Sequence, residues 1–270
     1  MGQLHSRTIT AASIADHSTR AALTTYADGA GTGDGGIKIG GKTGQTFTLR
    51  AIEIVIKGVL TTVVNMGGLF ELENNAVDWK PLEFYPNVST AAGANAGAAL
   101  SPTRIPVNVP LPAGSICYVY YTALNAAIDR PYVTLFWEEV RFDGKQTFSD
   151  AAIGSALTQI TKATNHVTIS IPAAKGGRLV AVMTQVYGTI ETIVVSGGLV
   201  EVRNNSVRPA LDPWNFDTGG VTTIGTGGAE QKLESHPQDC EAPEGSTFAF
   251  DYTPVDNQSQ QLAVMVVWEV

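Results

Sequence analysis

The residues most suggestive of chemistry are Gly36-Ile37-Lys38-Ile39-Gly40-Gly41-Lys42-Thr43, which match the phosphate-loop pattern G-x-x-x-x-G-K-[ST]. That chemistry needs a strand before the loop and a helix after it, so that helix-terminal amides meet the phosphates. Here the pattern follows ADGAGTGDG, which has no strand character, and leads into FTLRAIEIVIK, which reads as a strand. The segment therefore predicts a turn between strands. Four histidines, His5, His17, His166 and His236, show neither H-E-x-x-H nor i, i+4 pairing, so no metal site is predicted. Asp16-His17-Ser18 and Ser235-His236 place a hydroxyl beside a base, but no G-x-S-x-G elbow presents either serine. A carboxylate pair of Glu71 and Glu201 would require both in one cleft, whereas each is expected on its own domain as a surface or strand-edge group.

Other candidates lead to the same place. Cys117 and Cys240 are non-equivalent in the repeat described below, which excludes a duplicated disulfide or metal framework. The sequons at Asn87, Asn204 and Asn257 matter only in a secretory lumen. Trp137 and Trp268 lie among β-branched residues in LFWEEV and VVWEV, which predicts core positions; carbohydrate stacking is the functional rival. Met1-Gly2-Gln3-Leu4-His5-Ser6 fits the myristoylation template, which an intact mass in the native source would test at Gly2. The expectation is no catalytic residue, no cofactor and no metal.

The elements that carry these residues are written twice. From Leu49 to Val77 the sequence returns without a gap at Leu179 to Val207, with 12 of 29 positions identical, among them Gly67, Gly68, Glu71, Asn74 and Asn75. A second block follows one residue out of step: Pro112, Gly114, Ser115, Tyr121, Thr122, Trp137 and Glu138 return as Pro243, Gly245, Ser246, Tyr252, Thr253, Trp268 and Glu269. Two blocks in the same order mean a duplicated domain. Ile52, Ile54 and Ile56 are answered by Val182, Thr184 and Val186, while Glu53, Val55 and Lys57 become Met183, Gln185 and Tyr187. One face of a period-two strand is kept and the other drifts.

Strands are expected almost throughout, punctuated by GDGG, GGKTG, LPAG, PAAKGG, APEG and TPVDN, with no long amphipathic helix. The fold class is thus all-β, as two tandem antiparallel sandwiches or barrels over residues 1–143 and 144–270, with a junction near Phe142 to Ala152. Gly-rich loops from Val88 to Thr103 and from Asp217 to Ser235 differ between the copies, as surface segments facing different neighbours would.

Charge excludes one class of partner. Residues up to Asp143 carry 10 basic and 12 acidic side chains, and the rest 7 and 13, so the net charges are −2 and −6. Neither half has a Lys/Arg cluster, and no direct nucleic-acid binding is expected. There is no run of 18 apolar residues and no apolar signal region at MGQLHSRTIT, which leads to an expectation of folding in a cytoplasm.

A tandem pair of all-β domains, each built on a segment like L-x-A-I-E-I-x-I-x-G-x-L-T-T followed by GGLFELENN, resembles the double jelly-roll major capsid proteins of tailless icosahedral viruses of archaea and bacteria. The resemblance implies two eight-stranded jelly rolls side by side and homotrimers with a pseudo-sixfold outline. It also implies a shell around an internal membrane, assembled in the host cytoplasm. The partners would be the chain itself and other capsid or membrane proteins of the virion. At 270 residues the chain would be a small member, so the resemblance implies tower domains that are short or absent. The rivals are an exported tandem carbohydrate-binding module, a cell-surface or filament β-sandwich, and, third, a sandwich or cupin enzyme.

Overall fold

A computed structural model describes residues 3–11, 15–16, 18–26, 35–58, 64–77, 82–91, 102–124, 128–142, 144–188, 194–206, 214–217, 221–223, 229–231, 233–255 and 260–270. Every regular element among them is a strand. The chain divides into two compact units, the first of residues 1–60, 66–86 and 96–147, the second of 61–65, 87–95 and 148–270.

In the first unit the strands are β1 (Leu4–Thr10), β2 (Ala21–Ala22 and Ile37–Lys38, end to end along one edge), β3 (Thr46–Gly58) and β4 (Gly68–Asn74). They are followed by β5 (Leu82–Phe84), β6 (Thr103–Pro112), β7 (Ile116–Ala123) and β8 (Ile128–Glu138). One sheet has the order β1-β8-β3-β6 and the other β2-β7-β4-β5, all antiparallel. Thr25–Tyr26 and Ala15–Asp16 add short pieces to the first sheet, on β1 and β8. First-eighth-third-sixth in one sheet and second-seventh-fourth-fifth in the other is the strand order of a jelly roll.

The second unit repeats it. Its strands are β9 (Thr147–Ile153), β10 (Ala163–Ser170), β11 (Gly177–Gly188), β12 (Gly198–Asn204), β13 (Trp214–Asp217), β14 (Glu234–Ala242), β15 (Thr247–Pro254) and β16 (Gln260–Glu269). The sheets are β9-β16-β11-β14 and β10-β15-β12-β13. The expected pair of sandwiches is thus a pair of jelly rolls. β9 begins at Thr147, inside the stretch Phe142 to Ala152 expected as the junction, and the division between the two units falls there as well. The residues of β9, TFSDAAI, lack the apolar alternation by which the other strands were recognised.

Alternation decides which side of each strand is core. In β4 the side chains of Phe70 and Leu72 are buried and Glu71 and Glu73 are not; in β12 Val200 and Val202 are buried. Ile52, Ile54 and Ile56 on β3 and Val182, Thr184 and Val186 on β11 are all buried. The face that the duplication kept is the face between the sheets. In the second unit the other face of β11 is also covered at Gln185 and Tyr187, and Ala263, Met265 and Val267 on β16 are buried as well. A charged residue such as Lys57 could not occupy such a face unpaired, so its replacement by Tyr187 follows from burial.

Even the irregularities recur. Arg50 is an extra residue in β3, between Leu49 opposite Trp137 and Ala51 opposite Phe136; Val180 is the extra residue in β11, between Leu179 opposite Trp268 and Ala181 opposite Val267. On the far side, Pro106 and Val109 flank one bulge and Pro237 and Cys240 the other. A proline has no N–H to give to the ladder, so it sits at an edge strand's bulge without loss.

Candidate functional site

The repeated polar residues form one hydrogen-bonded lock per unit. Asn74 Nδ2 donates to Ser115 Oγ at 3.0 Å, and the Ala76 amide donates to Asn74 Oδ1 at 2.9 Å. Asn75 closes the next step: its Oδ1 accepts from the Ile116 amide at 2.8 Å and its amide donates to the Ile116 carbonyl at 3.1 Å. In the second unit Asn204 reaches Ser246 at 3.1 Å and accepts from Ser206 at 2.8 Å. Asn205 likewise accepts from the Thr247 amide at 2.8 Å and donates to its carbonyl at 3.2 Å. The left-handed Gly114 (φ 81°) and Gly245 (φ 68°) turn the chain into that lock. A left-handed turn is where glycine carries no Cβ penalty. The amide of Ser115 donates to Pro112, and that of Ser246 to Pro243, both at 3.1 Å.

Gly68 and Gly198 are kept for a different reason. A Cβ on Gly68 would lie 2.1 Å from the Thr122 carbonyl oxygen, and one on Gly198 2.2 Å from that of Thr253. The matched sequence is therefore a set of instructions for closing a sandwich.

The chemistry-bearing residues behave differently. Gly36 to Thr43 enters through the second piece of β2, Ile37–Lys38, and leads by a turn into β3, so no helix follows it. The Gln45 amide donates to the Lys42 carbonyl at 3.0 Å, and Gln45 Oε1 accepts from the Lys42 amide at 2.7 Å, which uses those amides inside the turn. Ser235 is exposed while His236 is half-buried on the opposite face of β14, where its Nε2 lies 3.0 Å from Thr184 Oγ1. Alternation along a strand separates the two that adjacency suggested. Asp16 pairs with Ile128 on β8, and His17 lies outside the described residues.

His166 packs at 5.8 Å from the Tyr252 ring, and burial lowers its pKa, as it does that of His236. Among the described residues no group of three His, Cys, Asp or Glu side chains could hold a metal ion. Cys117 is buried beside Asn74 Nδ2 at 3.3 Å, and burial pushes its thiol up to about 12, so it is an inert core group. Cys240 is a half-buried free thiol whose pKa is also raised by burial.

Glu71 and Glu201 occupy the same position of β4 and β12, each in its own unit and each in an ion cluster. Arg20 joins Glu71 at 2.7 Å and Glu73 at 2.6 Å, with its guanidinium 3.5 Å above the Tyr120 ring. In the second unit Lys162 joins Glu201 at 2.5 Å and Asp251 at 3.1 Å, and Arg203 joins Asp251 at 2.5 Å. Glu73 has become Arg203 and Tyr120 has become Asp251, so the same spot is wired with different charges. Burial alone would raise the Asp251 pKa; the Asn165 amide, Arg203 and Lys162 together hold it below the ordinary carboxylate value.

Both repeated tryptophans are core: Trp137 is 7% and Trp268 0% exposed, which leaves neither a face for sugar stacking. Trp268 Nε1 donates to the Lys175 carbonyl at 2.8 Å. Asn87 and Asn204 are buried as well, with Asn87 Oδ1 accepting from the Leu233 amide at 2.9 Å. Gly2 and Asn257 lie outside the described residues. Of the two variable loops, residues 92–101, 218–220, 224–228 and 232 also lie outside them. The described parts include one ladder of the second unit, Val88–Ala91 antiparallel to Ala229–Gln231, with Val88 opposite Gln231. That pairing leaves no sign in the sequence, because neither segment alternates.

One concave feature stands out in the first unit, a cleft of about 480 Å³ lined by His5, Arg7, Lys38, Phe47, Trp137 and Glu139. Of these, the sequence singled out His5, Trp137 and, within the phosphate-loop pattern, Lys38. No protein family model and no curated protein matches the chain. Solved structures similar to it include the glycosylasparaginase PNGase F from Flavobacterium meningosepticum, at 10% identity, 93% and 96% coverage of this chain and that one, and a TM-score of 0.39. They also include PBCV-1 VP54, at 9% identity, 100% and 95% coverage and a TM-score of 0.38. A third is the major capsid protein P2 of bacteriophage PM2, at 12% identity, 98% and 97% coverage and a TM-score of 0.36. All three scores are below 0.5, so the assignment of two jelly rolls rests on the strand order.

Proposed function

We propose that this chain is a structural major capsid protein that self-assembles, without catalysis, as homotrimers of pseudo-sixfold outline tiling an icosahedral shell. The observation that carries this reading is the duplication itself. One chain holds two jelly rolls of identical strand order, and the residues shared between them close the sandwiches, while the phosphate-loop pattern, the histidines and the cysteines do not recur. Jelly rolls also serve lectins and cupins, so the fold alone does not decide. A duplicated roll gives one chain two similar bodies, and a threefold ring of such chains presents six.

In this reading the jelly rolls span residues 1–143 and 144–270, and the loops Val88 to Thr103 and Asp217 to Ser235 meet neighbours or the outer surface. The partners are copies of the chain in the same and neighbouring trimers, with other capsid or membrane proteins of the virion. Assembly takes place in the host cytoplasm and the product is the virion capsid. A net charge of −8 suits a shell that does not touch nucleic acid. The test is electron microscopy of concentrated purified protein: particles or sheets of six-lobed trimers are expected, and dispersed two-lobed monomers or filaments would refute the proposal.

A further inference from the structure

The cleft of the first jelly roll holds basic groups that lack acceptors. His5, Arg7 and Ile9 point to the inner side of β1 by alternation. His5 stacks on Trp137 at 5.8 Å and meets Phe47 edge-on at 6.2 Å, which fixes its ring at the cleft wall. Its Nε2 is shielded from solvent and has no hydrogen-bond partner among the described residues, and the same is true of Arg7 Nε. Arg7 lies 3.7 Å above the Tyr26 ring, which anchors the guanidinium and accepts none of its N–H groups in a hydrogen bond. By contrast, Arg20, Arg50, Arg178 and Arg203 each have a carboxylate. Lys38 stands exposed on the rim, and Glu139, also exposed, is the acid in the lining.

A jelly roll does not require this opening. In the second unit Phe148 stacks on Trp268 at 5.8 Å, as His5 stacks on Trp137, and Lys175 Nζ lies 5.1 Å over the Phe148 ring. Phe148 is 2% exposed, so an apolar side chain fills the corresponding place. Gly41 shapes the first unit's version: it has φ 105°, and a Cβ there would come 2.7 Å from the Phe47 ring.

We propose that this cleft is an oxyanion-binding site, taking a carboxylate or phosphate group on Arg7 and Lys38 with His5 as a further donor. Arginine and lysine without acceptors in a common concavity are the chemistry that recognises such a group. The oxyanion comes either from a small free anion or from an acidic side chain of a second copy, whose second half carries the −6 charge. The site itself does not depend on the capsid reading.

The test uses the full chain, titrated with inorganic phosphate and with acetate at constant ionic strength and followed by tryptophan fluorescence, since Trp137 stacks on His5. Saturable binding with a Kd of ~1 mM or tighter is expected for at least one probe, weakened at least about tenfold by Lys38→Gln and by Arg7→Gln. Because Lys38 is exposed, its variant keeps the fold even if the Arg7 variant loses it. No saturable response to either anion, or a Lys38→Gln protein that titrates like the wild type, would overturn the proposal. Sedimentation with and without the bound anion separates the sources: dissociation of assembled protein assigns the natural oxyanion to a second copy, and unchanged assembly assigns it to a free anion.

Discussion

The two jelly rolls share a strand order, a bulge, an asparagine lock and a close glycine contact, and differ in how their polar groups are used. In the first, the inward side chains of β6 are Ile105, Val107, Val109 and Leu111; in the second, the counterparts on β14 are His236, Gln238, Cys240 and Ala242. The first leaves its β1 edge open at His5 and Arg7, and the second fills that edge with Phe148. The difference separates what the fold demands from what it tolerates. Closing residues are held in both copies, whereas edge strands and the outer sheet face are free to follow whatever lies against them.

The largest test of this comparison is at the glycines. Gly68→Ala and Gly198→Ala each drive a methyl into a carbonyl oxygen, and each is expected to cost about 3 kcal/mol or more, read as lost soluble yield or a collapsed melting temperature. Equal damage in both copies is the prediction; tolerance in one copy would show that its close approach is not needed. Next come Asn74→Ala and Asn204→Ala, each expected to destabilise its unit by ~2 kcal/mol in denaturant titration, since buried partners are left unpaired. A large effect in only one copy would break the equivalence of the locks.

Acid should separate the units by a smaller margin. His166 and His236 of the second unit have folded pKa values below 6.5, so the neutral forms are favoured, and stability is fully present above pH 6.5 and declines as pH falls below it. Asp251, held below 3.8, adds a second loss as pH falls past that value and the carboxylate protonates out of its contacts with Lys162 and Arg203. Hydrogen exchange is therefore expected to show the second unit opening before the first between neutral pH and pH 4. The reverse order would sink the account of these buried groups. The smallest expected change is His5→Phe, which imitates Phe148 and should alter stability by no more than about 1 kcal/mol, because the wall of Phe47 and Trp137 already accepts a ring.

Much of this was legible in the sequence, and for physical reasons. Alternation exposed the inner faces of β3, β4, β11 and β12. The turn glycines and the Asn-Asn pair marked the same closing points in each copy, and the strand FTLRAIEIVIK after the phosphate-loop pattern pointed to a turn. Thr147 to Ile153 escaped because five of its seven residues are small or polar. The ladder of Val88–Ala91 on Ala229–Gln231 escaped because a pairing between distant segments leaves no periodic trace in either. Arg7, Lys38 and Glu139 were missed at the cleft because they come from three separated stretches, and the phosphate-loop pattern that contains Lys38 points to a turn rather than to this grouping. The one available signal was that His5 and Phe148, unlike the tryptophans they stack on, are chemically different.

The claim that the duplication preserves a building block is tested most directly by the mass of the assembled protein. Native mass spectrometry of purified chain at high concentration should give a species of ~86 kDa, three times the 28.5 kDa of one chain, or larger multiples of it. A single 28.5 kDa species at every concentration would contradict it.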